Sequence, residues 1–543
     1  MTQARPSTVL IGQVLVAADG GGVETAEAIG IAEGRVVMVG RAEQVKAAAA
    51  PRSRVLDVGS AAVVPGMHDF HLHLVGMARE RRNIALEGAA DFAELLSRVH
   101  LAAARSGEGE WLLGGGWSEA IMRSADLAVL AHAVAGRRCL LYSHDRHSAW
   151  ASPLALTAAG LSAETTEPIG GRVERDAAGR PTGLLRERAT DLVEAVAARL
   201  TGHALESALE EVVKELAALG ITGATDAGDT TAGNGVGDHA FLGDRASRLL
   251  AAGSRLDGRL RLTVNLPADA IDAATLRGLR TGMRLPGRQT LRRGWAKVYV
   301  DGALGSRTAA VFTPYPGGDD RGILRLEPSG LARIVRQART AGIGLAAHAI
   351  GDRAVASVLD ALAPSPARLA ETPPDRIEHL QLVRPDDLGR IAALDVTASM
   401  QPVHAASDRD LADSLWAETT SVAYPWHSIE AAGGRLAFGS DAPIEPANPW
   451  RGIFAAVHRR APEGDRPDWR PDEAVTASRA LAGYTLGPAQ AMRRVDEGHL
   501  RAGALADVAV LNVELATILA ADQRLADVRA DLTLVEGREV HRS

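Results

Sequence analysis

The sequence predicts an α/β protein: a (β/α)8 TIM-like barrel, a discontinuous small β-sandwich domain from both termini, and a long insertion after barrel strand 1. Three observations predict it. Short apolar runs alternate with amphipathic helical stretches through the middle of the chain, as parallel βαβ units require. Eight such runs follow one another from "VVPGMHDFH" onward. Both chain ends read instead as short strands separated by Gly and Asp clusters. At 543 residues the chain exceeds one ordinary core but suits a large barrel with a satellite domain.

Residues 1–62 carry "STVLIGQVLVA", "EAIGIAEGRVVMVG" and "SRVLDVG", and residues 497–543 carry "LADVAVLNV" and "ADLTLVEGREVHR". One β-domain closed by both termini is expected, with two independent β-extensions as the alternative. The barrel is expected over residues 63–496. After its first strand come "ITGATDAG", "RLRLTVNL", "WAKVYVDGA", "GIGLAAHAIG", "DRIEHLQL", "DVTASMQP" and "RLAFGSDAP". Two further runs, "WLLGGGW" (111–117) and "RRCLLYSHDRHSAW" (137–150), also look like strands. They are assigned to the insertion, at about 77–200, although they could instead supply barrel strands two and three.

Composition bounds the function. An apolar fraction of 46% and a charged fraction of 23% are ordinary for a soluble globular protein. Aromatics make up only 3%, so Ala, Leu and Val must build most of the core. A net charge of −7 without a basic run points away from nucleic acid and anionic lipid. Cys139 is the only cysteine, so an intramolecular disulfide is excluded and any zinc must be held by His and carboxylates. The N-terminus lacks a signal-peptide layout, and no run of about 18 apolar residues appears. A cytoplasmic protein without membrane contact is the expectation. Oligomeric state is not legible, and a homodimer stands only as a guess.

The stretch "VVPGMHDFHLHLVG" crowds His68, Asp69, His71 and His73 at the end of an apolar run. Residues i and i+2 of a strand face one way, so His71 and His73 point together. At the C-terminal mouth of a barrel they could chelate a metal; alone, the pair could equally be a surface coincidence. Other strand ends repeat the pattern: His348 ends "GIGLAAH", His379 ends "DRIEH" and Asp441 ends "RLAFGSD". Four imidazoles and a carboxylate converging on one mouth call for a cation, and the donor set suits zinc. Lys297 sits among apolar neighbours in "WAKVYVDGA". A buried ammonium must be paired or modified: CO2 could convert it to a carbamate that bridges two metals, or Asp301 could pair with it.

Here the chain resembles the amidohydrolase superfamily, and within it the YtcJ-like, amidohydrolase-3 branch that includes N-substituted formamide deformylases. The resemblance rests on "PGMHDFHLH", "GGGW", "DRHSAW", "PTGLLRE", "KVYVDGALGSRTA", "HAIGDRA", "RIEHLQL", "FGSDAPIEPANPW", "AGYTLGPA" and "LRAGALADVAVLN", which span nearly the whole chain. It implies a (β/α)8 hydrolase with one or two divalent metals. His71, His73 and Asp441 would hold the more buried ion and His348 and His379 the second, with carbamylated Lys297 and a hydroxide between them. It implies attack by that hydroxide on a non-peptide C–N bond of a small amide, formamide or cyclic amide, with Asp441 moving the proton.

Further residues carry open alternatives. Asp69 could orient a ligating histidine or cap a loop. His147 could line the substrate cleft, as could His144 with less support, or both could lie on a surface loop. Arg307 could bind a substrate carboxylate or lock its loop. Gln401 and His404 could meet substrate or bond locally, and Trp117 and Trp150 could form an apolar wall or pack in a core. An ester hydrolase would use the same site. Deaminases of the superfamily place a Glu three residues after the strand-five histidine, where this chain has Gly351, and a non-catalytic scaffold is opposed by the complete set of six ligand positions.

Overall fold

Eight strands carry the middle of the chain: β1 (Met67–Leu72), β2 (Ile221–Asp226), β3 (Arg261–Pro267), β4 (Leu291–Tyr299), β5 (Leu345–Ala349), β6 (Arg376–His379), β7 (Thr397–Met400) and β8 (Arg435–Phe438). The structure is a computed structural model that describes residues 4–81, 83–107, 111–118, 121–124, 126–144, 148–168, 171–197, 202–228, 249 and 253–543. All eight strands are parallel and pair in chain order from β1 to β8. They are buried along almost their whole length, which is why they read as continuous apolar runs.

The sheet closes at its C-terminal end. Beyond β8, the Asp441 amide donates to His71 O at 2.7 Å, and the His73 amide returns a bond to Ala442 O at 2.7 Å. Gly439 makes this approach feasible, because a Cβ there would sit 2.4 Å from the His71 nitrogen. Closure therefore draws the end of β1 and the segment after β8 together at the barrel mouth. Inside, Phe70, Trp295, Ala346 and Ala437 pack into one cluster, with Trp295 edge-on to Phe70 at 5.7 Å.

The chain ends share one seven-stranded sheet. Its order is Arg538–Arg542, Ala530–Val535, Val508–Leu511, Arg54–Pro65, Thr8–Ala18, Val23–Ala32 and Arg35–Gly40. Val508–Leu511 pairs with Arg54–Pro65, so N- and C-terminal segments are hydrogen-bonded neighbours. Alternation explains its two apolar faces. Leu10 and Ile29 enter one cluster with Val508 and Leu532, whereas Val9, Ile11 and Ala28 pack with Val45 of the helix Ala42–Ala48.

Residues Val75–Ala208 form a second compact unit. It holds a six-stranded mixed sheet in the order Gly171–Arg175, Pro181–Glu187, Ser148–Ala151, Arg138–Ser143, Trp111–Trp117 and Ile84–Ala85. Trp111–Trp117, Arg138–Ser143 and Ser148–Ala151, from the runs that could have been barrel strands, thus fall in this sheet, and barrel strand two is Ile221–Asp226. Trp117 and Trp150 are fully buried in one apolar cluster of this unit. The Trp117 indole donates to Leu141 O at 2.8 Å, a core position by every contact it makes here.

Candidate metal centre

The ends of β1, β5 and β6 and the segment after β8 bring imidazoles and a carboxylate together. His71, His379 and Asp441 each offer a ligand atom within 4.8 Å of the others, and all three are buried. His73 joins them, with Nε2 3.2 Å from the same Asp441 oxygen that lies 3.4 Å from His71 Nε2. His348 stands edge-on to His379, with ring centroids 4.6 Å apart. Register shifts against β2 interrupt strict alternation in β1, which lets Phe70 fill the barrel while His71 still reaches the mouth. His379 and Asp441 adopt left-handed backbones, with φ of 76° and 61°. Such non-glycine conformations cost about 1–3 kcal/mol each and persist where the surroundings over-determine them.

The rings of His71, His379 and His348 are each oriented by one nitrogen. His71 Nδ1 donates to Glu378 Oε2 at 2.6 Å, leaving Nε2 for Asp441. His379 Nδ1 donates to Gln401 Oε1 at 2.9 Å, and His348 Nε2 donates to Gly302 O at 3.0 Å. An imidazole that donates from one nitrogen keeps a lone pair on the other, the form a metal needs. Burial, reinforced by Lys297, lowers His348 to about 3, and burial with neighbouring His348 holds His379 well below its ordinary value. Both rings are therefore neutral. Burial opposes ionisation of Asp441, but His71 and the bonds from His404, His71 and His73 outweigh it and hold the carboxylate ionised.

Lys297 on β4 is 1% exposed. Its Nζ lies 4.8 Å from the Tyr299 ring centroid, and among the described residues no carboxylate comes within ion-pair distance. Burial lowers its pKa, against the pull of Glu378 and Asp441. Asp301, weighed as its partner, accepts instead from the backbone amides of Ala310, Ile350 and Gly351 at 2.9, 3.1 and 2.8 Å. Asp69 likewise serves the backbone: Oδ1 takes the amides of His71 and Ser440, both at 3.1 Å, and so pins the closure between β8 and β1.

Several residues take places that sequence reading did not assign. Glu378 and Arg376 on β6 are buried together, and the guanidinium also reaches Phe70 O and Ser399 Oγ at 2.6 and 2.8 Å. The signal was present: two opposite charges two apart inside an apolar strand must face one way and neutralise each other. His404 bridges Asp441 Oδ2 at 3.4 Å and Glu445 Oε1 at 3.6 Å. Burial works against its protonation, but Asp441 and Glu445 raise it to about 10. Gln401, open between substrate and a local bond, bonds to His379. Arg307 is exposed on its loop with φ of 56°. His147 lies outside the described residues, and His144 sits in the second unit, 3.7 Å from Glu87.

Comparison with known proteins agrees in extent. The sequence model of the Amidohydrolase family matches residues 54–541. YtcJ of Bacillus subtilis (strain 168) is 29% identical over 528 residues, covering 95% of this chain and 96% of that protein. The N-substituted formamide deformylase of Arthrobacter pascens is 28% identical over 504 residues, covering 90% of each. Among solved structures, an uncharacterized metal-dependent hydrolase from Pyrococcus furiosus superposes with a TM-score of 0.73 at 27% identity, covering 93% of this chain and 99% of that one.

Proposed function

The chain belongs to the Amidohydrolase family, and from that premise we propose that it is a metal-dependent hydrolase of a non-peptide C–N bond in a small molecule. An amide, a formamide or a cyclic amide is the substrate class. The observation that carries this reading is the convergence of His71, His379 and Asp441, with His73 and His348 beside them. Neutral His348 and His379 beside an ionised Asp441 fit a divalent cation such as zinc. His71, His73, His348, His379 and Asp441 would hold it, with Lys297 as a further ligand once carbamylated. Burial favours the neutral amine, whose nitrogen adds to CO2, releases a proton and leaves a carboxylate-like group. A divalent ion bound here lowers the pKa of water toward neutrality and polarises a carbonyl.

The chain's own residues do the rest. Asp441, kept ionised, accepts the proton of the attacking water and returns it to the departing nitrogen. Its second oxygen faces His404, which Glu445 orients from the other side. Glu378 and Gln401 fix the rings of His71 and His379 so that neither has to turn as charge develops. The formamide deformylase among the relatives supports a nitrogen leaving group, and an ester would be attacked by the same arrangement. A deaminase reading is opposed by Gly351, where a Cβ would lie 2.0 Å from Ala310 O, so no acidic side chain fits. The test is metal analysis of the purified protein together with hydrolysis of a panel of N-acyl and N-formyl amines. The expected result is bound metal and chelator-sensitive release of amine; a protein that hydrolyses the panel equally well after complete metal removal would overturn the reading.

A further inference from the structure

Outside the metal centre, one cluster of arginines among the described residues closes no ion pair. At the N-terminal end of the barrel, opposite the metal centre, a cleft of about 370 Å³ lies between the segment entering β4 and the terminal sheet. Arg284, Arg292 and Arg494 line it, and none of the three forms an ion pair among the described residues. Arg292 Nη1 and Arg494 Nη2 both donate to one carbonyl, Gly282 O, at 3.2 and 2.8 Å. Two guanidiniums therefore converge on a single neutral acceptor, and Arg494 Nε is buried with no acceptor among the described residues. Burial lowers the pKa of Arg292 to about 10, and repulsion from Arg494 adds to it. Glu497 opposes that lowering at Arg292 and, with Asp496, at Arg494, without forming an ion pair to either. Asp496 is taken by Arg35 at 3.1 Å and Glu536 by Arg261 at 2.9 Å. Glu33 and Glu497 line the cleft without an ion pair to any of the three.

We infer that this cleft binds a tetrahedral dianion of the phosphate class, held by Arg284, Arg292 and Arg494. Guanidinium forks match phosphate oxygens bidentately, and an entering dianion gives the three arginines the charged partner that none of them has among the described residues. The volume exceeds what one phosphate needs and suits a small phosphate monoester. Because Gly34 and Arg35 of the terminal sheet share the lining, the bound anion ties that sheet to the base of the barrel. Glu497, close enough to repel it, weakens the site.

The experiment is calorimetric titration of the full-length protein with inorganic phosphate and, in parallel, glycerol 3-phosphate, at matched ionic strength against chloride. Saturable binding of either is expected, and their order of affinity tells whether free phosphate or an ester is preferred. Arg292→Gln and Arg494→Gln should each weaken binding about tenfold, and Glu497→Gln should tighten it. Hydrolysis at saturating substrate should be unchanged in all three, which separates this cleft from phosphate bound at the barrel mouth. Thermal melts check that each variant folds, and Glu497→Gln keeps the test open if an arginine variant does not. Absence of saturable binding, or binding that all three variants leave unaltered, overturns the inference.

Discussion

Replacing Glu378 with Gln separates the two duties assigned to that side chain. Glu378 and its partner Arg376 are 1% and 0% exposed, so the pair lies wholly out of water. The substitution keeps the volume and one acceptor oxygen but removes the charge. Arg376 is then left buried, with Phe70 O and Ser399 Oγ as its remaining acceptors. Breaking a buried pair in this way costs about 3–5 kcal/mol, and the retained amide places this case near the lower end. His71 Nδ1 at the same time exchanges a charged acceptor for a neutral one. Loss of such a partner lowers metal affinity about 10–100-fold. Urea titration reads the first effect, and zinc competition against a fluorescent chelator reads the second. The double variant Arg376→Met/Glu378→Leu should recover stability, since it removes both charges and Met preserves packing on Phe70, but should not recover metal affinity. A Glu378→Gln protein with an unchanged unfolding midpoint and unchanged zinc affinity would refute the reasoning, as would a double variant that regains full affinity.

Three further outcomes follow from the same geometry. Asp441→Asn should lower turnover by about 10²–10⁴-fold at any pH, measured as kcat on a hydrolysed amide, because the amide cannot carry the proton. Lys297→Ala should lower turnover on the order of a thousandfold and reduce bound metal by elemental analysis, with partial recovery when short carboxylic acids fill the space. His68, buried against Thr225 at 3.0 Å, is lowered to about 3 by burial, helped by Arg376 and Arg261. Its unfolded value is near 6.5, so the unfolded chain binds the extra proton. The stability it contributes is complete above that value and is lost as pH falls toward 3, at up to about 1.4 kcal/mol per pH unit. Denaturant midpoints of metal-stripped protein between pH 6.5 and 4.5 should show that slope, flattened in His68→Gln.

What sequence could reveal here depended on how local the signal was. The eight barrel strands are legible because each is a short apolar run between helical stretches, and four of them lead to His71, His348, His379 and Asp441. Glu378 was hidden because its role exists only across the barrel, 307 positions from His71. Gln401 was left between substrate and a local bond, since no spacing rule shows that its amide would meet His379 across 22 residues. Trp117 illustrates the limit for aromatic residues: wall and core have the same composition, and only the Leu141 contact and full burial distinguish them. Asp301 was weighed as a partner for Lys297, and Asp69 as a support for a histidine or a loop cap; both hold backbone amides where strand ends must be tied.

The central claim is that side chains distant in the chain meet to grip a divalent ion. A crystal of the protein as purified, with anomalous data collected on both sides of the zinc absorption edge, tests it most directly. The account predicts a peak at the barrel mouth enclosed by His71, His73, His348, His379 and Asp441, with density for a carbamate on Lys297. A metal peak elsewhere, or a fully ordered mouth whose imidazoles turn their lone pairs away from any ion, would contradict it.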